Sequence, residues 1–250
     1  MNVSVVQGVA ICALLIAGWV WLYPLWRRFR FAIAVWKSDI DYVRKALGRG
    51  FPVQTPLPWG NNALWEALLV EPKSAEDQRP YEMVQQLLDA GADPNQQSET
   101  DPPPLIHAIT KGNVAMVRLL VSRGARVDQP WGTRATPLHW ALTQVQCDLV
   151  CPACRREVVQ ALLDAGASVN VSVHRRPSPV TLVGLWEEYE QKVQLEEGRS
   201  MWGRCLETLE SQGIQIPGVS DENREEKLAA HQTVVREVTS LIRRAAAEAL

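Results

Sequence analysis

The sequence predicts an all-α chain: a solenoid of about four to five helix-turn-helix repeats, with a transmembrane helix before it and a capping helix after it. Three observations predict this. The stretch from Val3 to Trp26 carries no charged side chain. A short helix, a turn and a second helix ending on glycine recur through the middle of the chain. Residues 220–250 hold an apolar stripe at helical spacing.

The apolar run comes first. As a helix, VSVVQGVAICALLIAGWVWLYPLW (residues 3–26) would rise roughly 36 Å, enough to span a bilayer. Trp19, Trp21, Tyr23 and Trp26 gather at one end, where amphipathic rings favour the interface. Arg27, Arg28, Arg30 and Lys37 follow at once, which places this end in the cytoplasm and the N-terminus outside. The expected localisation is a single-pass membrane protein with its folded domain cytoplasmic. A cleaved signal peptide fits less well, because MNVSVVQ has no charge and no A-x-A site follows.

The repeat is clearest over PPLIHAITKGNVAMVRLLVSRGARVD (residues 103–128), where Val117, Leu119 and Leu120 are expected to face inward and Gly124 to end the second helix in left-handed geometry. The same ending recurs at Gly50, Gly91, Gly166 and, more loosely, Gly213. From Gly91 to Gly124 is 33 residues. The pattern, and above all TPLHWA (136–141) and LLDAGADPN (87–95), resembles the ankyrin repeat family, over residues 29–218. The resemblance implies a non-enzymatic protein–protein interaction scaffold. It also implies that His139 is structural, bonding to its own turn and to a neighbouring repeat; its counterparts Ile106 and Trp65 do not titrate. Thr136 is expected to cap the first helix of its repeat, with Pro137 in the first turn.

The longer repeats carry their extra residues between the two helices, at 70–82, 145–156 and around 187–203. These enlarged turns are expected to share one edge, available for binding. Phe29 to Val35 aligns with the first helix of repeat one, so the membrane helix is expected to continue into the array, with the turn at Ser38-Asp39. After Gly218, the C-terminal helix presents Leu228, Val235, Ile242 and Ala249, with Val238 and Ala245 interleaved. Packing on repeat five is favoured over a coiled-coil dimer, and a monomer over a dimer.

Net charge is −2 and no basic stripe is present, which argues against nucleic acid as a partner. The five cysteines are an odd number and do not suit a secreted disulfide framework. Cys147, Cys151 and Cys154 crowd one insert, and Cys205 is the best fourth ligand for zinc; a disulfide and free thiols are the alternatives. No cofactor is otherwise implied. The sequence holds no G-x-S-x-G, G-x-x-x-x-G-K-S/T, H-E-x-x-H or G-x-G-x-x-G motif, so no enzyme is expected. Candidate partner contacts are Trp131 and Arg134 in one hairpin and Arg175 and Arg176 in the next. The partner would be another protein, including a membrane-associated one. Two rival functions remain: an inhibitor that neutralises a toxin, as an immunity protein does, and a zinc- or redox-responsive sensor working through the cysteine insert.

Overall fold

The computed structural model describes residues 22–74, 76–96, 101–131, 135–147, 152–172, 177–187 and 224–249; the side chains of 144–147, 152, 153 and 224 are outside that description. Among the described residues every regular element is a helix, apart from one isolated bridge between Trp131 and Ala135. The chain divides into two compact units, Met1–Pro94 and Asn95–Leu250.

In the first unit, α1 (residues 22–36) is uninterrupted from the aromatic end of the apolar run into repeat one. Residues 3–21 of that run lie outside the described residues. No helix among the described residues is long and apolar enough to cross a membrane. Phe31, Ala32, Ala34 and Val35 of α1 are buried, and Phe31 stacks on Phe51 with ring centroids 4.0 Å apart. A turn at Lys37-Ser38 leads to α2 (Ile40–Gly48), whose first turn is capped by Asp39 accepting from the Tyr42 N–H at 3.1 Å. Ser38 has φ 54°, a left-handed conformation that a side chain disfavours. The structure thus bears out the turn expected at Ser38-Asp39. Next come α3 (Ala63–Leu69) and α4 (Arg79–Asp89), and α4 packs against both α2 and α3. Pro80 sits in the first turn of α4, where no helical N–H is lost.

The second unit holds α5 (Pro104–Lys111), α6 (Val114–Ser122), α7 (Pro137–Cys147) and α8 (Pro152–Asp164). The first helices α5 and α7 pack side by side, as do the second helices α6 and α8, and each pair also packs within its repeat. Met116, Val117, Leu119 and Leu120 are buried on α6, as the inward face required. Each such side chain taken out of water stabilises the fold by about 1.5–3 kcal/mol relative to leaving it exposed.

Two expectations change. The insert at 145–156 is not chiefly a loop. The helix α7 runs to Cys147 and α8 starts at Pro152, so the extra residues largely lengthen two helices. Pro152 permits this because it opens α8, where a missing N–H costs nothing.

Among the described residues, the C-terminal helix (Arg224–Glu248) packs along α8 and also touches α7, both in repeat four; residues 188–223, which hold most of repeat five, lie outside the described residues. Its buried residues are His231, Val234, Val238, Thr239 and Ile242, while Ala249 is exposed and Leu228 and Val235 are half-buried. A stripe spaced by seven drifts around a straight helix of 3.6 residues per turn, so its two ends leave the contact face. α8 packs against both α6 and this helix. Arg156 and Glu237 pair across this contact at 3.2 Å, and Arg243 pairs with Glu187 on the helix at residues 179–187.

Candidate functional site

The repeat motif is realised bond by bond in α7. Thr136 Oγ1 accepts from the backbone N–H of His139 at 3.4 Å and lies 2.7 Å from His139 Nδ1. His139 Nε2 lies 2.9 Å from the carbonyl oxygen of Pro177, in the segment leading to the next repeat. Both residues are buried, and the histidine is spent on joining turn to turn. At the corresponding position of α3, Asn62 is the cap, accepting from the Trp65 N–H at 2.7 Å. Gly50, Gly91, Gly124 and Gly166 have φ of 76°, 88°, 88° and 82°, so all four end their helices in the left-handed region. Gly213 lies outside the described residues.

Sequence reasoning missed a second set of bonds. Four residues after a repeat glycine stand Gln54, Asn95 and Asp128, and each reaches the glycine turn of the following repeat. Gln54 Nε2 donates to Gly91 O at 2.7 Å. Asn95 donates through Nδ2 to Gly124 O at 2.9 Å and accepts at Oδ1 from the Arg126 N–H at 2.7 Å. Asp128 Oδ1 accepts from the Ser168 N–H at 2.9 Å. The signal was present as a polar residue at a fixed offset, and its acceptors and donors are the backbone groups that a helix end leaves open.

The cysteine insert has a structural member that was also missed. Arg155 is buried and donates to Ile109 O at 2.6 Å and Thr110 O at 3.0 Å, carbonyls at the C-terminal end of α5. A cation there satisfies open carbonyls and offsets the negative end of the helix dipole. The guanidinium lies so close to Gly112 that a Cβ on that residue would sit 3.0 Å from Nη1, and Gly112 has φ 67°. No sequence signal links residues this far apart in the chain.

Of the zinc candidates, Cys154 is disulfide-bonded. Cys151, Cys205 and the side chain of Cys147 lie outside the described residues. Among the described residues, no group of three or more His, Cys, Asp or Glu side chains is placed to hold a metal ion. The other long insert in the described residues is organised by Asp77, which takes the Arg79 guanidinium at 2.7 Å and the Lys73 N–H at 3.1 Å. The Arg79 hydrogen bond, then that from Lys73, holds the Asp77 carboxyl well below the usual carboxylate range.

Of the partner-contact candidates, Trp131 is half-buried and lies against Trp140, ring centroids 6.0 Å apart. Arg134, Arg175 and Arg176 lie outside the described residues. In the first unit, the loop before α3 carries Trp59, which is 47% exposed although its Nε1 donates to the buried Glu66 at 2.6 Å. Asn61 Nδ2 donates to the same Glu66 oxygen at 2.8 Å, and Phe29 meets the Trp59 ring edge-on at 6.3 Å. The turn residues in PWGNN were the available hint.

Residues 73–173 match the family description of ankyrin repeats, in three copies. The match covers the helices α4 to α8, where the cap, the glycine turns and the inter-turn bonds have just been traced. Ankyrin repeats form a protein–protein interaction domain and are typically non-enzymatic. Through this stretch, residues 73–173, the chain carries ankyrin repeats.

Proposed function

We propose that the protein is a membrane-tethered interaction scaffold: one helix anchors it, and its repeats bind another protein at the cytoplasmic face. The binding half rests on Trp59. A large ring held in place by Glu66 and Phe29, yet left nearly half in solvent, is an anchor whose ordering cost is already met before a partner arrives. The anchoring half rests on the uncharged run from Val3 to Trp26 and the arginines after it. Tethering raises the effective concentration toward a membrane-bound partner, so a moderate affinity suffices.

The test is site-specific photocrosslinking in intact membranes from position 59, with position 227 on the C-terminal helix as the comparison. Adducts to a defined protein from position 59 and not from 227 are expected. Equal yields from both positions would reject the binding surface. A reporter fused after Leu250 tests the topology: activity confined to the outer side overturns the cytoplasmic assignment.

The disulfide at Cys154 favours one further reading, a redox-responsive role for the repeat-four insert. A disulfide in a reducing compartment is usually transient and serves sensing. A non-reducing gel of cells treated with and without oxidant, wild type against Cys154→Ser, checks it. No oxidant-dependent shift in mobility removes it.

A further inference from the structure

Between α1 and α2 lies a cleft of about 440 Å³. From α1 it takes Tyr23, Trp26, Arg27 and Arg30, and from α2 and its end Tyr42, Lys45, Ala46 and Arg49. Both sets have the spacing i, i+3, i+4, i+7, so each helix turns one continuous face toward the other. Among the described residues, four cations line the cleft and no carboxylate does. Among the described residues, none of these four cations is paired with a carboxylate.

Two of the four, Arg27 and Arg30, lie against aromatic rings. The Arg30 guanidinium lies between Trp26 and Tyr42, 5.2 Å and 5.0 Å from the two centroids, and Arg27 lies over Phe51 at 5.6 Å. Gathering like charges is unfavourable, and rings that hold two of them leave the site prepared for an anion. A second cleft of about 230 Å³, with a mostly apolar surface, shares Tyr23, Arg27 and Phe51 with the first and adds Pro24, Arg28, Pro52 and Thr55, the Arg28 guanidinium donating to Pro56 O at 2.6 Å. A cationic cleft beside an apolar one matches a molecule with a phosphate head and a hydrocarbon stem. A free phosphate has no use for the second cleft.

We propose that this paired cleft binds the phosphate headgroup of an anionic membrane lipid, with Arg27, Arg30, Lys45 and Arg49 on the phosphate and the Tyr23–Phe51 side on the lipid stem. The lipid as source rests on the membrane anchor proposed above; the cation cluster does not. Such a site would fix the rotation and depth of the first repeat at the bilayer surface, because interfacial rings and cations at the end of a membrane helix set its pose.

The test uses the full chain in non-ionic detergent, incubated with equal amounts of phosphatidylglycerol and phosphatidylcholine, with retained lipid counted by native mass spectrometry. Retention of phosphatidylglycerol about tenfold over phosphatidylcholine is expected, falling to near parity in Arg30→Gln/Arg49→Gln. Lys45→Gln/Arg49→Gln leaves the stacked Arg30 in place and should also lose most of the preference, with an unchanged near-ultraviolet circular dichroism spectrum. Arg44→Gln, outside the cleft, should behave as wild type. No preference in the wild type, or a preference that survives both double variants, overturns the site. Displacement of the lipid by glycerol 3-phosphate alone overturns the lipid assignment in favour of a soluble phosphate. Release of the chain from membranes by alkaline carbonate would instead reject the anchor, independently of the retention result.

Discussion

Arg155 Nη1 donates to the carbonyl oxygen of Ile109 at 2.6 Å, so a residue of the repeat-four insert closes the end of a helix in repeat three. Removing it leaves buried carbonyls without their charged donor. Arg155→Met is expected to cost about 2 kcal/mol, read as a lower urea midpoint, with exposed Arg118→Gln within about 0.5 kcal/mol of wild type. Because Gly112 lies against the same guanidinium, Gly112→Ala should cost less in the Arg155→Met background than alone. Additive costs would show that the two residues do not share one site.

The inter-turn bonds from Asn95 and Asp128 predict local effects. Asn95→Ala should speed hydrogen exchange at the Arg126 amide and leave the Ser168 amide unchanged, and Asp128→Ala should do the reverse. Each is expected to cost about 1 kcal/mol. Uniform loss of protection in either variant would mean that the bonds are not local clasps.

The face of the C-terminal helix can be tested by truncation. Ile242 is fully buried and Leu228 is only partly covered. Ile242→Ala should cost about 2–4 kcal/mol by thermal or urea unfolding, and Leu228→Ala below about 1 kcal/mol. Equal costs would restore the seven-residue stripe.

Asp77 gives the insert between α3 and α4 a pH signature. Its carboxyl is held below its ordinary value of 3.8, so the order it lends is present above that value and is lost only as pH falls through the lower, folded value. Protection of the Lys73 amide should therefore persist to more acidic pH than 3.8, and Arg79→Gln should bring its loss back toward that value. Loss near pH 3.8 in both proteins would show that Arg79 does not hold the carboxylate.

Capping at Thr136 should be separable from the bond of His139 to Pro177. Thr136→Ala is expected to cost about 1 kcal/mol, as caps do. His139→Phe keeps the ring volume and loses the inter-turn bond to Pro177 O, and should speed exchange at the backbone around residue 177. No change there would assign the histidine to its own turn alone.

What the sequence determined by itself is local. The glycine turns at 50, 91, 124 and 166, the Thr136-Pro137 start of α7 and the inward face of α6 depend on residues within a few positions of one another, where backbone sterics and helical periodicity act directly. The tertiary structure decided the rest. Whether QCDLVCPACRRE would loop out or extend two helices depended on what its residues could reach, and Arg155 found open carbonyls at the end of α5. Which stripe of the C-terminal helix was buried depended on its packing against α8, because an amphipathic helix settles on the surface that covers its apolar side chains best. The cleft between α1 and α2 is of the same kind: each helix carries a legible row of rings and cations, but only packing brings the two rows face to face.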